Sequence, residues 1–173
     1  MILYTFCLSL LSGFGLYSLL YILLPKDIFS SHPQLYKLDD TACQIFIWTG
    51  ISTLLLGSLI WIEELIPLDD ETRDTILYNL LLGPSALPIL IVGVGTQILW
   101  IKSIREVKWI RLLIALFMLV SYQDVIIWFT DFHRDYVSSS SSLLLTKVQY
   151  IGASLLKFLT VLGLVYMGRW GMK

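Results

Sequence analysis

The sequence has little charge and few of the side chains that hold metals or cofactors. Only 14% of its 173 residues are charged, whereas a soluble domain of this length carries about a quarter. The two cysteines, Cys7 and Cys43, are too few for a disulfide framework or a four-ligand zinc site. The net charge of −1 argues against a nucleic-acid partner.

Catalytic motifs are equally scarce. Both histidines, His32 and His133, fall between apolar runs, which excludes a haem held by two histidines inside a membrane. The sequence has no Cys-x-x-Cys pair, no phosphate-binding loop and no nucleophile elbow. We therefore expect no cofactor, and the sequence favours a protein that is not an enzyme.

The residues that are abundant are apolar, at 57% of the chain. They are gathered into runs that can cross a bilayer as helices, each of which needs about 20 residues. We predict an all-α polytopic membrane protein, a single transmembrane bundle of about five helices with short loops. The predicted spans are about residues 2–24, 42–62, 76–101, 109–129 and 148–167.

Two details concern the ends and the course of these helices. Asp39, Asp40 and Thr41 precede the second span and are predicted to cap it. Pro84 and Pro88 are expected to kink the third span, because proline lacks the backbone donor.

Small residues within the spans indicate close contacts between helices. Gly50 and Gly57 are seven residues apart, which returns a helix to within about 20° of the same face. Small residues let helix backbones approach closely in a membrane. The predicted helix-packing positions are Gly13, Gly50, Gly57, Gly93 and Gly152.

Basic residues near the span ends predict the orientation, since they are retained on the inner side of a membrane. The first loop, the third loop and the C-terminus hold eight: Lys26, Lys37, Lys102, Arg105, Lys108, Arg111, Arg169 and Lys173. The opposite side holds three: Arg73, Arg134 and Lys147. We predict an outer N-terminus and a cytoplasmic, matrix or stromal C-terminus, in the plasma membrane or an organelle inner membrane.

The predicted outer side is acidic. Its carboxylates are Glu63, Glu64, Asp69, Asp70, Glu71, Asp74, Asp131 and Asp135. Charge complementarity makes a basic soluble protein one candidate partner for this side.

Three ionisable residues in or near the spans are candidates for catalysis or ion transfer: Asp124, Glu64 and Lys157. A charge inside a membrane is costly and is often functional. Asp124 and Lys157 are predicted to pair, with Glu64 as a competing partner for the lysine. The alternative is that these charges fix the helix register, or contact a lipid headgroup or a neighbouring subunit.

A sparse metal-ligand pattern occurs at Asp131, His133 and Asp135. In a helix, His133 would point away from the two carboxylates, and one histidine with two carboxylates is a small set for a transition metal. The pattern therefore favours the interpretation that these residues are solvated charges in a loop.

These features lead to two hypotheses about function. The first is a non-catalytic integral subunit of a larger membrane complex, with an energy-transducing complex as one candidate, whose partners are lipids and other transmembrane subunits. The second is a small proton- or cation-coupled transporter, or a membrane enzyme, that uses Asp124, Glu64 and Lys157.

Overall fold

The computed structural model describes residues 2–24, 33–82, 86–119 and 140–171. Within these ranges every regular element is an α-helix, which confirms the all-α prediction for this part of the chain. The helices are α1 (Ile2–Leu23), α2 (Pro33–Leu65), α3 (Asp70–Leu82), α4 (Ala86–Ile98), α5 (Lys102–Arg105), α6 (Lys108–Leu119) and α7 (Ser140–Gly171).

Three segments are long and apolar enough to cross a membrane: Ile2–Leu23, Gln34–Glu63 and Lys147–Arg169. They fall in α1, α2 and α7 and overlap the first, second and fifth predicted spans. In the third and fourth predicted spans, the described helices α3, α4 and α6 have only 12 or 13 residues each. Residues 83–85 and 120–139 lie outside the described part. The structure therefore supports membrane association through three helices, and the count of five stays a proposal.

Helix α2 begins earlier than predicted, at Pro33. Proline suits the first turn of a helix, where its missing backbone donor would have no partner. Asp39, Asp40 and Thr41 thus lie inside the helix, and the prediction that they cap it is wrong. The consequence is that these three polar side chains project from the helix barrel toward neighbouring helices.

Hydroxyl groups inside α2 are satisfied without leaving the helix. Thr49 donates to the carbonyl of Ile45 at 2.7 Å, and Thr53 donates to the carbonyl of Thr49 at 2.8 Å. This local bonding removes the cost of an unpaired hydroxyl in apolar surroundings.

The core is centred on α1, which packs against α2, α6 and α7. Three fully buried aromatic rings, one from each of α1, α2 and α7, meet there. Phe14 stacks on Phe46 with the ring centroids 4.0 Å apart, and Phe158 meets Phe14 edge-on at 5.7 Å. Such pairs add about 0.5–1.5 kcal/mol to the free energy of burying the rings.

Two of the glycines assigned to helix packing lie at very close contacts. A Cβ at Gly13 would be 2.3 Å from the backbone oxygen of Ser154, and one at Gly50 would be 2.3 Å from Oγ1 of Thr96. The other three have more room: the nearest atom to a Cβ would be 3.4 Å away at both Gly57 and Gly93, and none lies within 4 Å at Gly152. A helix-packing role for the set as a whole stays a prediction.

Helix α3 is capped by the residue that precedes it. Asp69 accepts a hydrogen bond from the backbone N–H of Thr72 at 3.2 Å, which satisfies one of the free donors at the helix start. Hydrogen bonds from the side chain and backbone of Thr72 lower the pKa of Asp69 below its ordinary value of 3.8.

Candidate functional site at one end of the bundle

A buried ion pair joins α2 to α6 near one end of the bundle. Arg111 is 1% exposed and Asp39 is 8% exposed. The guanidinium uses both terminal nitrogens, and Nη1 of Arg111 lies 2.9 Å from Oδ2 of Asp39 while Nη2 donates to Oδ1. This two-pronged geometry is the strong form of an arginine–carboxylate contact.

Helix α1 supplies the polar surroundings of this pair. Tyr17 donates its hydroxyl to Oδ1 of Asp39 at 3.2 Å, and Nε of Arg111 lies 3.4 Å from the hydroxyl of Ser18. The ring of Tyr21 covers the guanidinium at 4.0 Å from its centroid. The cluster of Tyr17, Ser18, Tyr21, Asp39 and Arg111 therefore ties together three helices.

The position of the cluster explains why these charges are tolerated. Removing two charges from water costs several kcal/mol each, and their attraction offsets this only with good geometry and further hydrogen bonds. Arg111 lies directly over the aromatic core, at 5.7 Å from the centroid of Phe14. The cluster thus closes the end of the apolar core with polar contacts that satisfy one another.

A second layer of contacts surrounds the buried cluster. Arg105 of α5 forms an ion pair with Asp40 of α2. Arg169 of α7 lies 3.3 Å from the hydroxyl of Thr41 and also donates to the side-chain oxygen of Gln44. Because Asp40, Thr41 and Gln44 all belong to α2, this helix is the common partner of α5 and α7 at this end.

Lys108 fixes the first turn of α6 against the last turn of α1. Its ammonium donates to the carbonyl of Ile22 at 3.1 Å. The last carbonyls of a helix have no partner within it and carry partial negative charge, so a lysine there is favourable.

An open cleft of about 670 Å³ lies next to the cluster. The ends of α1 and α7, the first turns of α2, and α5 with the residue after it form its walls. Its lining residues are Tyr21, Tyr36, Lys37, Asp39, Asp40, Thr41, Lys102, Arg105, Glu106, Tyr166 and Arg169. Its volume is within the range of small-molecule sites, which is about 300–1,000 Å³.

Four charged residues of the cleft have no ion-pair partner within the described part of the chain. They are Lys37, Lys102, Glu106 and Arg169, and all four are exposed. The cleft is therefore lined by charges that are available to a ligand, with cations in excess.

Of the three residues predicted to carry chemistry, the structure describes the side chain of Lys157 only. Asp124 and the side chain of Glu64 lie outside the described residues, and Lys157 is exposed on α7. Their proposed pairing stays a prediction.

The predicted metal ligands Asp131, His133 and Asp135 also lie outside the described part. Among the described residues no group of three or more potential ligands could hold a metal ion. The two cysteines, Cys7 and Cys43, are buried and free, as expected for residues that pack.

Sequence reasoning missed the central pair. It counted Arg111 only among the basic residues that set orientation and Asp39 only as a helix cap. A usable signal was present, because Arg111 falls inside the predicted fourth span, and a buried charge needs a partner. The identity of the partner could not follow from one sequence, since Asp39 is 72 residues away.

Comparisons with known proteins do not add an identity. No family model matches the chain, and no curated protein or solved structure matches it. The function is therefore argued from the residues and contacts described above.

Proposed function

We propose that the protein is a non-catalytic integral subunit of a larger membrane complex. The observation that supports this proposal is Lys157, which is exposed on α7 within the apolar segment Lys147–Arg169. A charged side chain in this position needs a partner, and a neighbouring subunit is the source that we infer.

The depth of Lys157 carries the argument. It lies ten or more residues from each end of the apolar segment, which is about 15 Å along the helix axis at 1.5 Å per residue. A lysine stem reaches only about 6 Å, so it cannot bring its ammonium to the membrane surface from the middle. An unpaired lysine at mid-membrane costs about 2.5–3.5 kcal/mol on an insertion scale.

The face of α7 that carries Lys157 suits a partner helix. Ala153, Thr160 and Gly168 lie on the same face at helical spacing and are exposed, together with the larger Tyr150 and Leu164. Small side chains allow close approach of a second helix in a membrane. By contrast, Ser154 and Phe158 are buried on the face of α7 that packs against α1.

The proposed arrangement has five spans, an outer N-terminus and an inner C-terminus. What supports the orientation is that basic residues from three separate segments gather at the cleft end. Lys37 comes from the start of α2, Lys102 from α5 and Arg169 from the end of α7. A single basic end of a helical bundle is the pattern expected of an inner membrane side. The acidic opposite side is proposed to face a basic soluble partner.

The test is the native mass of the protein after gentle extraction from its own membrane. We expect it to migrate with a large complex, and we expect Lys157→Met to release it by removing the charge that the partner meets. Lys157→Arg is the matched control, because it keeps the charge at the same depth and should keep the complex. A wild-type protein that runs alone, or a complex that Lys157→Met leaves intact, would contradict the proposal.

A different variant distinguishes the second hypothesis, a proton- or cation-coupled transporter or membrane enzyme, from the subunit proposal. It requires Asp124→Asn to abolish activity while folding and assembly are kept. The subunit proposal expects this substitution to weaken assembly or to change nothing.

A further inference from the structure

We propose that the cleft at the basic end of the bundle binds a phosphate group, carried by a lipid headgroup or by a soluble ligand. The lining residues described above all belong to this chain. The proposal can therefore be tested on the isolated protein.

The charge of the cleft selects an anion. Two of its acids are already neutralised, since Asp39 is paired with Arg111 and Asp40 with Arg105. The remaining charged groups of the lining are Lys37, Lys102, Glu106 and Arg169. Three of these four are cations, so the cleft carries a net positive charge of two before a ligand binds. A phosphate monoester carries a charge of about −1.5 to −2 near pH 7 and the phosphodiester of a lipid headgroup about −1, so both complement the cleft.

The donors in the cleft suit an oxyanion in particular. The exposed side chain of Arg169 lines the cleft beside Arg105, whose own terminal nitrogen is paired with Asp40. The lysine ammonium groups add donors from two different helices. Phosphate has several strong acceptor oxygens and is bound in proteins by arginine forks and by lysine point charges.

The position of the cleft determines which phosphate-bearing molecules can reach it. Tyr21 and Arg169 lie at the ends of the apolar segments of α1 and α7, and Tyr36 lies near the start of that of α2. Tyrosines at span ends are typical of the headgroup layer of a membrane. Basic pockets between spans on the inner side bind anionic headgroups. A phosphate-bearing solute from the adjoining aqueous phase reaches the same opening.

The experiment uses the full chain in a neutral detergent and two probes. Native mass spectrometry measures the binding of phosphatidylglycerol against phosphatidylcholine, and isothermal titration calorimetry measures the binding of inorganic phosphate. The test variant is Lys37→Gln with Lys102→Gln. Lys147→Gln is the control for each lysine neutralised, because it makes the same unit change in net charge near the start of α7, away from the residues that line the cleft.

We expect at least one probe to bind. Its affinity should fall by roughly fivefold for each lysine neutralised, which corresponds to the interaction of one exposed charge. Glu106→Gln should tighten the same binding by a similar factor, so the proposal does not depend on a loss alone. Higher salt should weaken binding, since exposed charges are screened.

The two probes separate the sources of the phosphate. Lysine-dependent preference for phosphatidylglycerol with no binding of inorganic phosphate supports a headgroup site. Lysine-dependent binding of inorganic phosphate supports a soluble ligand. Binding of neither probe, binding that the double variant retains, or an equal loss in Lys147→Gln overturns the proposal.

Discussion

Replacing Asp39 by asparagine tests whether the Arg111–Asp39 pair holds the bundle together. The substitution keeps the size of the side chain and an oxygen that can accept from Tyr17, but it leaves a guanidinium that is 1% exposed without a counter-charge. Removing one member of a buried pair typically costs about 3–5 kcal/mol, because the remaining charge stays buried. We expect a loss of that size in the free energy of unfolding.

The structure supports this magnitude. The N–O distance of 2.9 Å places the two charge centres about 4 Å apart, where the attraction is about 4 kcal/mol at an effective dielectric constant of 20. Asp40→Asn is the matched control. It makes the same change one residue later, in an ion pair whose side chains are 16% (Arg105) and 48% (Asp40) exposed. Because water screens this pair more than the buried one, we expect a smaller loss in the free energy of unfolding than for Asp39→Asn.

The assay is reversible unfolding by sodium dodecyl sulfate, followed by the fluorescence of the six tryptophans. The single variant Arg111→Met and the double variant Asp39→Asn with Arg111→Met complete a double-mutant cycle. The loss in the double variant should be smaller than the sum of the single losses by about 2 kcal/mol or more, because it removes both charges together. The reasoning fails if the two asparagine variants lose equal stability, or if the cycle shows no coupling.

Two further predictions use the same protein preparation. Gly13→Ala should lower the free energy of unfolding by about 1–3 kcal/mol, because the added Cβ would meet the backbone oxygen of Ser154. Gly152→Ala is the control, since a Cβ there has no neighbour within 4 Å and should not destabilise the protein. The detergent unfolding midpoints measure both effects. Since the folded pKa of Asp69 is lowered, its capping contribution is present above pH 3.8 and is lost as the pH falls through the lower folded value. Thr72→Val should raise this pKa toward 3.8 in a carboxyl NMR titration, and an unchanged pKa would contradict the assigned cause.

The fold class could be predicted from the sequence because the signal is local. The apolar runs in Ile2–Leu23 and Lys147–Arg169 each contain enough information to specify a membrane-length helix. The predicted helix boundaries were less accurate where residues typical of helix caps occur inside a helix. The stretch around Asp39 has the composition of a cap, yet the helix continues through it from Pro33.

The candidate site could not be predicted because it depends on contacts between distant segments. Basic residues near the predicted third loop and the C-terminus were recognised, but as indicators of orientation. That Arg105 and Arg169 both contact α2 follows from the packing of the helices and not from any local pattern. Lys157 was predicted to be important because it lies near the middle of a span. Arg111 was not, because it lies near the end of its predicted span.

The buried cluster and the cleft share residues and adjoin each other. Asp39 binds Arg111 with its carboxylate and also lines the cleft, so the pair that closes the core forms a wall of the cleft. Asp40 and Thr41 hold Arg105 and Arg169 from the same stretch of α2. Each of these contacts fixes a wall of the cleft before any ligand arrives, which lowers the ordering cost of binding. Lys37 and Lys102 take no part in these contacts, and their charges remain available to a ligand. A cleft whose walls are held by paired charges, and whose rim carries unpaired cations, is organised for binding an anion.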